Sequence, residues 1–114
     1  MKKLGLIGEQ LAIDYLKSLG YKILAKNYRC PIGEIDIIAQ DQDVIVFVEV
    51  KTRKSDAVAC PYESVGQHKQ QKIKEVAQWY LEETSSENCE TRFDVLSIVM
   101  KSPNPDIEHF REAF

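Results

Sequence analysis

Gly33-Glu34-Ile35-Asp36-Ile37-Ile38-Ala39, the polar residues 40–43, and Val44-Ile45-Val46-Phe47-Val48-Glu49-Val50-Lys51-Thr52-Arg53 together decide the fold of this chain. Two β-type apolar runs flank a short turn, which predicts a hairpin. Ile35 and Ile37 alternate with Glu34 and Asp36 on the first run. Val44, Val46, Val48 and Val50 alternate with Ile45, Phe47, Glu49 and Lys51 on the second. Charges inside strands are costly to bury without partners. Asp36, Glu49 and Lys51 therefore need a reason to be there.

Parity supplies one. If Ile35 and Ile37 share a face with Val46, Val48 and Val50, Asp36 falls on the other face with Glu49 and Lys51. Asp36 is then directly opposite Glu49 or diagonal to it, at a Cα separation of about 5–8 Å. Two carboxylates that close repel unless a proton or cation intervenes. Mg²⁺ (or Mn²⁺), a hard ion that takes oxygen ligands, suits that position. Such a metal polarises a phosphodiester and acidifies a bound water. Lys51 is placed to orient that water or stabilise developing negative charge.

Upstream, residues 3–19 read as a helix with Leu4, Leu11, Ala12, Tyr15, Leu16 and Leu19 as its apolar stripe and Gly20 as its stop. Gly8 lies on the stripe, which predicts close approach of another backbone. Glu9 borders the core side and can reach the same metal, directly or through water. Residues 21–30 read as a strand ended by Pro31 and Gly33.

Downstream, 54–65 read as a loop, and Ser64-Val65-Gly66-Gln67 as a capping box opening a second helix that ends near Thr84. Ile73, Val76, Ala77, Tyr80 and Leu81 form its buried stripe. Lys69 extends that stripe toward the sheet, while Lys72 and Lys74 face solvent. Residues 92–100 are apolar on both faces, the mark of a central strand. Residues 107–114 read as a short final strand. The order is helix, three strands, helix, two strands: an α/β domain with a mixed sheet flanked by helices.

Composition sets outer bounds. The chain has 114 residues, 44% hydrophobic and 29% charged, as expected for one globular domain. No apolar run is long enough to span a bilayer, so no membrane partner is expected. The start, Met1-Lys2-Lys3-Leu4-Gly5, opens like a secretory signal. Glu9 and Asp14 interrupt any apolar region, so a cytoplasmic location is expected. Cys30, Cys60 and Cys89 have no metal-type spacing and read as reduced thiols. With 15 basic against 18 acidic residues, the net charge of −3 disfavours nucleic-acid binding by bulk charge alone. Local phosphate contacts remain open, with Lys69, Arg29 and Arg53 as candidates. Glu34 reads as a structural ion pair with a nearby base. Asp94 reads as an edge-of-strand polar residue, His68 and His109 as surface residues, and Trp79 as core or rim packing.

The ordered set Asp36, twelve residues, then Glu49-x-Lys51 resembles the PD-(D/E)xK nuclease superfamily, and a Glu on the first helix is most similar to archaeal Holliday junction resolvases. Gly8-Glu9-x-x-Ala12, Asn27-x-Arg29, Gly33-Glu34-Ile35-Asp36, Phe47-Val48-Glu49-Val50-Lys51-Thr52-Arg53, Lys69, Phe93-Asp94-Val95 and Ala113-Phe114 resemble the bacterial YraN-type family over essentially the whole chain. One departure is Ile35, where the superfamily often has a proline before the aspartate. The resemblance implies a restriction-endonuclease-like αβββαββ fold over 1–114 and a DNA substrate, branched or structured. It implies Asp36, Glu49, the Val50 carbonyl and Glu9 as metal ligands, Lys51 as the water-activating group, and a homodimer as one expectation for assembly. Two other functions fit the same residues. One is a non-catalytic nucleic-acid-binding or scaffold protein that keeps the nuclease fold. The other is a protein-interaction partner whose carboxylates only organise the core.

Overall fold

A computed structural model describes residues 2–54 and 66–114, with side chains from residue 4 onward. The elements run α1 (Lys2–Ser18), β1 (Lys22–Arg29), β2 (Glu34–Asp41), β3 (Val44–Lys54), α2 (Gln67–Glu83), β4 (Glu90–Met100) and β5 (Asp106–Phe110). The five strands form one mixed sheet in the order β1-β2-β3-β4-β5. All neighbours are antiparallel except β3 and β4, which pair in parallel. A parallel pair needs a crossover, and α2 lies within it. This is the expected mixed α/β architecture, compatible with a restriction-endonuclease-like core. β4 is an interior strand, as its two apolar faces require.

The helices cover opposite faces. Under α1 lie Ala12, Ile13 and Leu16 with Ile37, Ala39, Val46, Val48, Leu96 and Ile98. Under α2 lie Ile73, Val76, Ala77 and Leu81 with Ile35, Ile38, Ile45 and Phe47. Helix α1 closes as its Gly20 predicts. Gly20 has φ +90, its N–H bonds the Lys17 carbonyl, and the Tyr21 N–H bonds the Leu16 carbonyl. That pattern satisfies the last orphan carbonyls and uses the left-handed conformation glycine adopts without penalty. Leu19 falls beyond the helix and is exposed, whereas Ile13 joins the core in its place.

Several boundaries differ from the sequence reading. Helix α2 starts at Gln67 with Gly66 as its N-cap, two residues later than a box on Ser64 requires. Ser64 and nearly all of the 54–65 loop lie outside the described residues. Strand β5 ends at Phe110, not 114. Glu112 takes φ 50 and turns the chain, the Ala113 N–H bonds the Phe93 carbonyl, and Phe114 stacks on the Phe93 ring. Trp79 sits at the rim and is exposed. Cys30 and Cys89 are free thiols; Cys60 is outside the described residues. No helix among the described residues is long and apolar enough to cross a membrane.

Gly8 is buried on the α1 stripe, as its position predicts. What approaches it is the side chain of Thr52 on β3, not a backbone. A Cβ at position 8 would overlap Thr52 Oγ1 and lie 2.8 Å from its Cβ and Cγ2. The contact seats the N-terminal half of α1 directly on the end of β3.

Candidate active site

The register between β2 and β3 places Ile37 against Val48, so Asp36 and Glu49 occupy the next positions along the two strands. The hairpin thus brings the two carboxylates to one locality. The expected face assignment needs one correction. Ile37 lies in the α1 cluster with Val46 and Val48, but Ile35 lies in the α2 cluster. Residues two apart on a regular strand share a face, so β2 turns over at Asp36. Strand β1 shifts register between Ile23 and Ala25, and it has a second irregularity, in its backbone, at the matching place. Asn27, between the pairs Lys26–Ile37 and Tyr28–Ile35, has φ 52. Asparagine is among the few residues that visit this left-handed region readily. The two neighbouring strands kink together, and Asp36 is carried to the kink.

Around it opens a cavity of about 710 Å³, walled by Leu4, Gly5, Leu6 and Glu9 of α1, Asn27 and Arg29 of β1, Asp36 of β2, and Val50, Lys51 and Thr52 of β3. Asp36 Oδ2 accepts a hydrogen bond from the Val50 N–H at 2.8 Å. Glu9 Oε1 accepts one from Asn27 Nδ2 at 2.8 Å. Glu49 does not line the cavity. It lies toward α2, only 5% exposed, with its Oε1 3.3 Å from Lys69 Nζ. Lys69 therefore faces the sheet from the start of α2, as its stripe position predicts, and it meets a carboxylate there. Lys72 and Lys74 are exposed.

Electrostatics tie these groups together. Burial and then the charge of Asp36 push the Glu49 carboxyl up to about 7, against the pull of Lys69 and Lys51. Burial also raises Asp36, aided by the charge of Glu9 and opposed by the Val50 N–H and the two lysines. Lys51 is depressed by burial and by its hydrogen bond to Lys69. Burial would lower Lys69 too, but its bonds to Lys51 and Glu49 lift it instead. A hydrogen bond between two amines needs a lone pair on one of them. Lys51, the depressed partner, is the one suited to supply it and hence to accept a proton.

The remaining candidates are more scattered. Arg29 lines the cavity and makes a loose, exposed ion pair with Glu34 at 3.8 Å, the partnership expected for Glu34. Arg53 is half-buried near the end of β3 and is not on the cavity wall. Among the described residues, no group of three or more His, Cys, Asp or Glu side chains is gathered closely enough to hold a metal ion. The donor chemistry still fits a hard cation. The charge of half-buried Asp36 adds to the rise of buried Glu49, and the Val50 N–H points at Asp36. The N–H and C=O of one strand residue face the same neighbouring strand, so the Val50 carbonyl is directed to that side as well.

A second polar cluster was not anticipated. Asp94 is fully buried, not a polar residue at a strand edge. It accepts bonds from Arg92 Nε at 2.9 Å and Nη2 at 3.1 Å, from His109 Nε2 at 2.7 Å, and from the Glu112 N–H at 3.1 Å. Arg92 also reaches Asp41 and the Tyr21 hydroxyl, and His109 Nδ1 pairs with the Tyr15 hydroxyl. Burial alone would raise Asp94, but His109, Arg92 and the Glu112 N–H together hold it below the usual carboxylate range. The His109 side chain is 6% exposed, so it is no surface residue. His68 is one. The sequence held one usable signal: Asp94 shares its parity with Leu96 and Ile98, both under α1.

Comparison with known proteins shows the family of the chain. Residues 8–98 match the family model described as "Uncharacterised protein family UPF0102". A UPF0102 protein of Thermodesulfovibrio yellowstonii is 51% identical over 112 residues, covering 98% of this chain and 96% of that one. Another, from Alkaliphilus oremlandii, is 49% identical over 115 residues, covering 99% and 98%. A third, from Syntrophus aciditrophicus, is 46% identical over 110 residues, covering 96% and 87%. With a match across most of its length and relatives of nearly its own size, the chain belongs to the UPF0102 (YraN-type) family.

Proposed function

We propose that this protein is a metal-dependent nuclease of the PD-(D/E)xK type that hydrolyses phosphodiesters in DNA, with branched or structured DNA as the favoured substrate. One observation carries the reading: half-buried Asp36 and buried Glu49 stand next to each other on adjacent strands, both with raised pKa, the charge of Asp36 adding to the rise of Glu49, beside a lysine whose own pKa is depressed. A structural ion pair would lower the carboxylates. Here burial, with like charge added, holds both high even though Lys69 pairs with Glu49, and a cation beside them would lower both.

Asp36, Glu49 and the Val50 carbonyl would hold Mg²⁺ or Mn²⁺, with Glu9 assisting from α1. When bound, the ion supplies Lewis-acid polarisation of a phosphoryl oxygen and acidifies a water. Lys51, depressed by burial, is the side chain that would accept a proton from a water held there. Lys69, which pairs with Glu49 from the start of α2, and Arg29 and Arg53 would offer positive charge to the phosphate backbone. Cutting both strands of a branch calls for two such sites, which makes a homodimer the working assembly.

The test is cleavage of linear and four-way-branched DNA with Mg²⁺ and with Mn²⁺, comparing wild type with Asp36→Ala. Metal-dependent cleavage lost in the variant is the expected result. Wild type indistinguishable from Asp36→Ala in both metals, on all substrates, would overturn the nuclease reading.

One observation favours a second reading, a nucleic-acid-binding protein that has kept the fold without catalysis. No group of three or more His, Cys, Asp or Glu is gathered closely enough to hold a metal among the described residues. Titration with Mn²⁺ separates the two: binding lost in Asp36→Ala supports the nuclease, and absence of binding at millimolar metal supports the second reading.

A further inference from the structure

We propose that Asn27 is a positioning residue that holds Glu9 on the cavity wall facing Asp36, through the hydrogen bond from its side-chain amide. The inference rests on the metal-site reading above and adds a residue to it. Three observations converge on Asn27. Its backbone is left-handed, at φ 52 in the middle of a strand. Its Nδ2 donates to Glu9 Oε1 at 2.8 Å, linking β1 to α1. Its side chain lines the same cavity as Glu9, Asp36 and Lys51.

These observations are not redundant. Left-handed backbone alone is served better by glycine, which adopts it at no steric cost. A residue kept only to turn the strand over would need no amide. A residue kept only to bond Glu9 would need no kink. Asn27 does both. The kink swings its side chain to the α1 face, and the amide then meets the one α1 carboxylate that overlooks Asp36. Glu9 has a flexible stem, and its charge is repelled by Asp36. Without a donor on the facing strand it would turn outward to water. The bond therefore holds a third carboxylate near the proposed ion, against its own electrostatic preference. Groups that orient metal ligands in this way commonly change metal affinity by about 10–100-fold when removed.

The experiment is a Mn²⁺ titration of the full chain, by calorimetry or by the loss of the free-ion electron spin resonance signal. It compares wild type, Asn27→Gly, Glu9→Gln and the double variant. Asn27→Gly keeps the left-handed backbone and deletes only the amide. It is expected to weaken Mn²⁺ about tenfold with an unchanged melting temperature, and the double variant is expected to be no weaker than Glu9→Gln alone. A second pair reverses the bond. Asn27→Asp alone sets two carboxylates together and is expected to lower the melting temperature. Adding Glu9→Gln restores a donor opposite an acceptor and is expected to recover it. Unchanged affinity in Asn27→Gly, strictly additive losses in the double variant, or no recovery in the reversed pair would each overturn the positioning role. All three leave the Asp36–Glu49 metal reading intact. A wild type that binds no Mn²⁺ overturns that reading, and this inference with it.

Discussion

Glu49 carries the sharpest consequence at the level of single residues. Burial and the charge of Asp36 push its carboxyl up to about 7 in the folded protein, against an ordinary value of 4.5. Between those values the folded state binds a proton that the unfolded state has released, so stability must fall as pH rises across the interval. Urea denaturation at pH 5 and pH 8 is expected to show wild type losing about 1–3 kcal/mol more than Glu49→Gln over that span. Equal pH dependence in the two proteins would mean that Glu49 is not held high. The presence of Asp36, Glu49 and Lys51 in one locality was legible in the sequence, because strand parity and a short turn fix which charges can meet. Asp94 and His109 were not legible in the same way. Their burial depends on Tyr15, Tyr21, Asp41 and Arg92, drawn from α1, the loop after it, β2 and β4. No local pattern announces a partner 94 positions away.

At the level of elements, α1 is the part whose placement decides the site, and Gly8 decides the placement. Alanine is the better helix former by roughly 1 kcal/mol. A methyl at position 8, however, overlaps Thr52 and must lift the helix or displace the strand end. Overpacking of this kind costs about 1–3 kcal/mol. Gly8→Ala is therefore expected to melt below wild type, and Gly8→Ala with Thr52→Ala to recover part of the loss. A Gly8→Ala protein more stable than wild type would show that the helix has room to spare. The helical spacing was enough to mark Gly8 as buried, since every third or fourth position faces the core. The period-two rule failed on β2, because it assumes an unbroken pleat. The left-handed Asn27 breaks the pleat on the neighbouring strand, and Ile35 and Ile37 end on opposite faces.

For the whole molecule, the order of elements followed from periodicity, and the interior position of β4 from the apolar residues on both its faces. The final turn at Glu112 did not, because it answers to Asp94 and Phe93 and not to its own neighbours. Asp94, itself fully buried, joins Arg92, His109 and the segment after β5 in a largely buried network. Removing one charge from such a network leaves the others unpaired, at a cost of about 3–5 kcal/mol. Asp94→Asn is expected to lower the denaturation midpoint accordingly, while Asp106→Asn, whose ion pair with Lys101 is exposed, shifts it little. The two variants behaving alike would mean the network adds nothing. Because the folded-state pKa of Asp94 is depressed, its contribution is present above the unfolded pKa and is lost as pH falls through the folded value. The network also fixes how α1 can move. Tyr15 ties the helix to His109, Gly8 seats it on Thr52, and Glu9 ties it to Asn27. A helix fastened at three points along its length cannot rock open as a flap. It is a fixed wall, and among the described residues the cavity it borders lies open to solvent beside the exposed Leu6. For the DNA substrate proposed above, passage beside α1 then needs no movement of that helix and is governed by diffusion and charge.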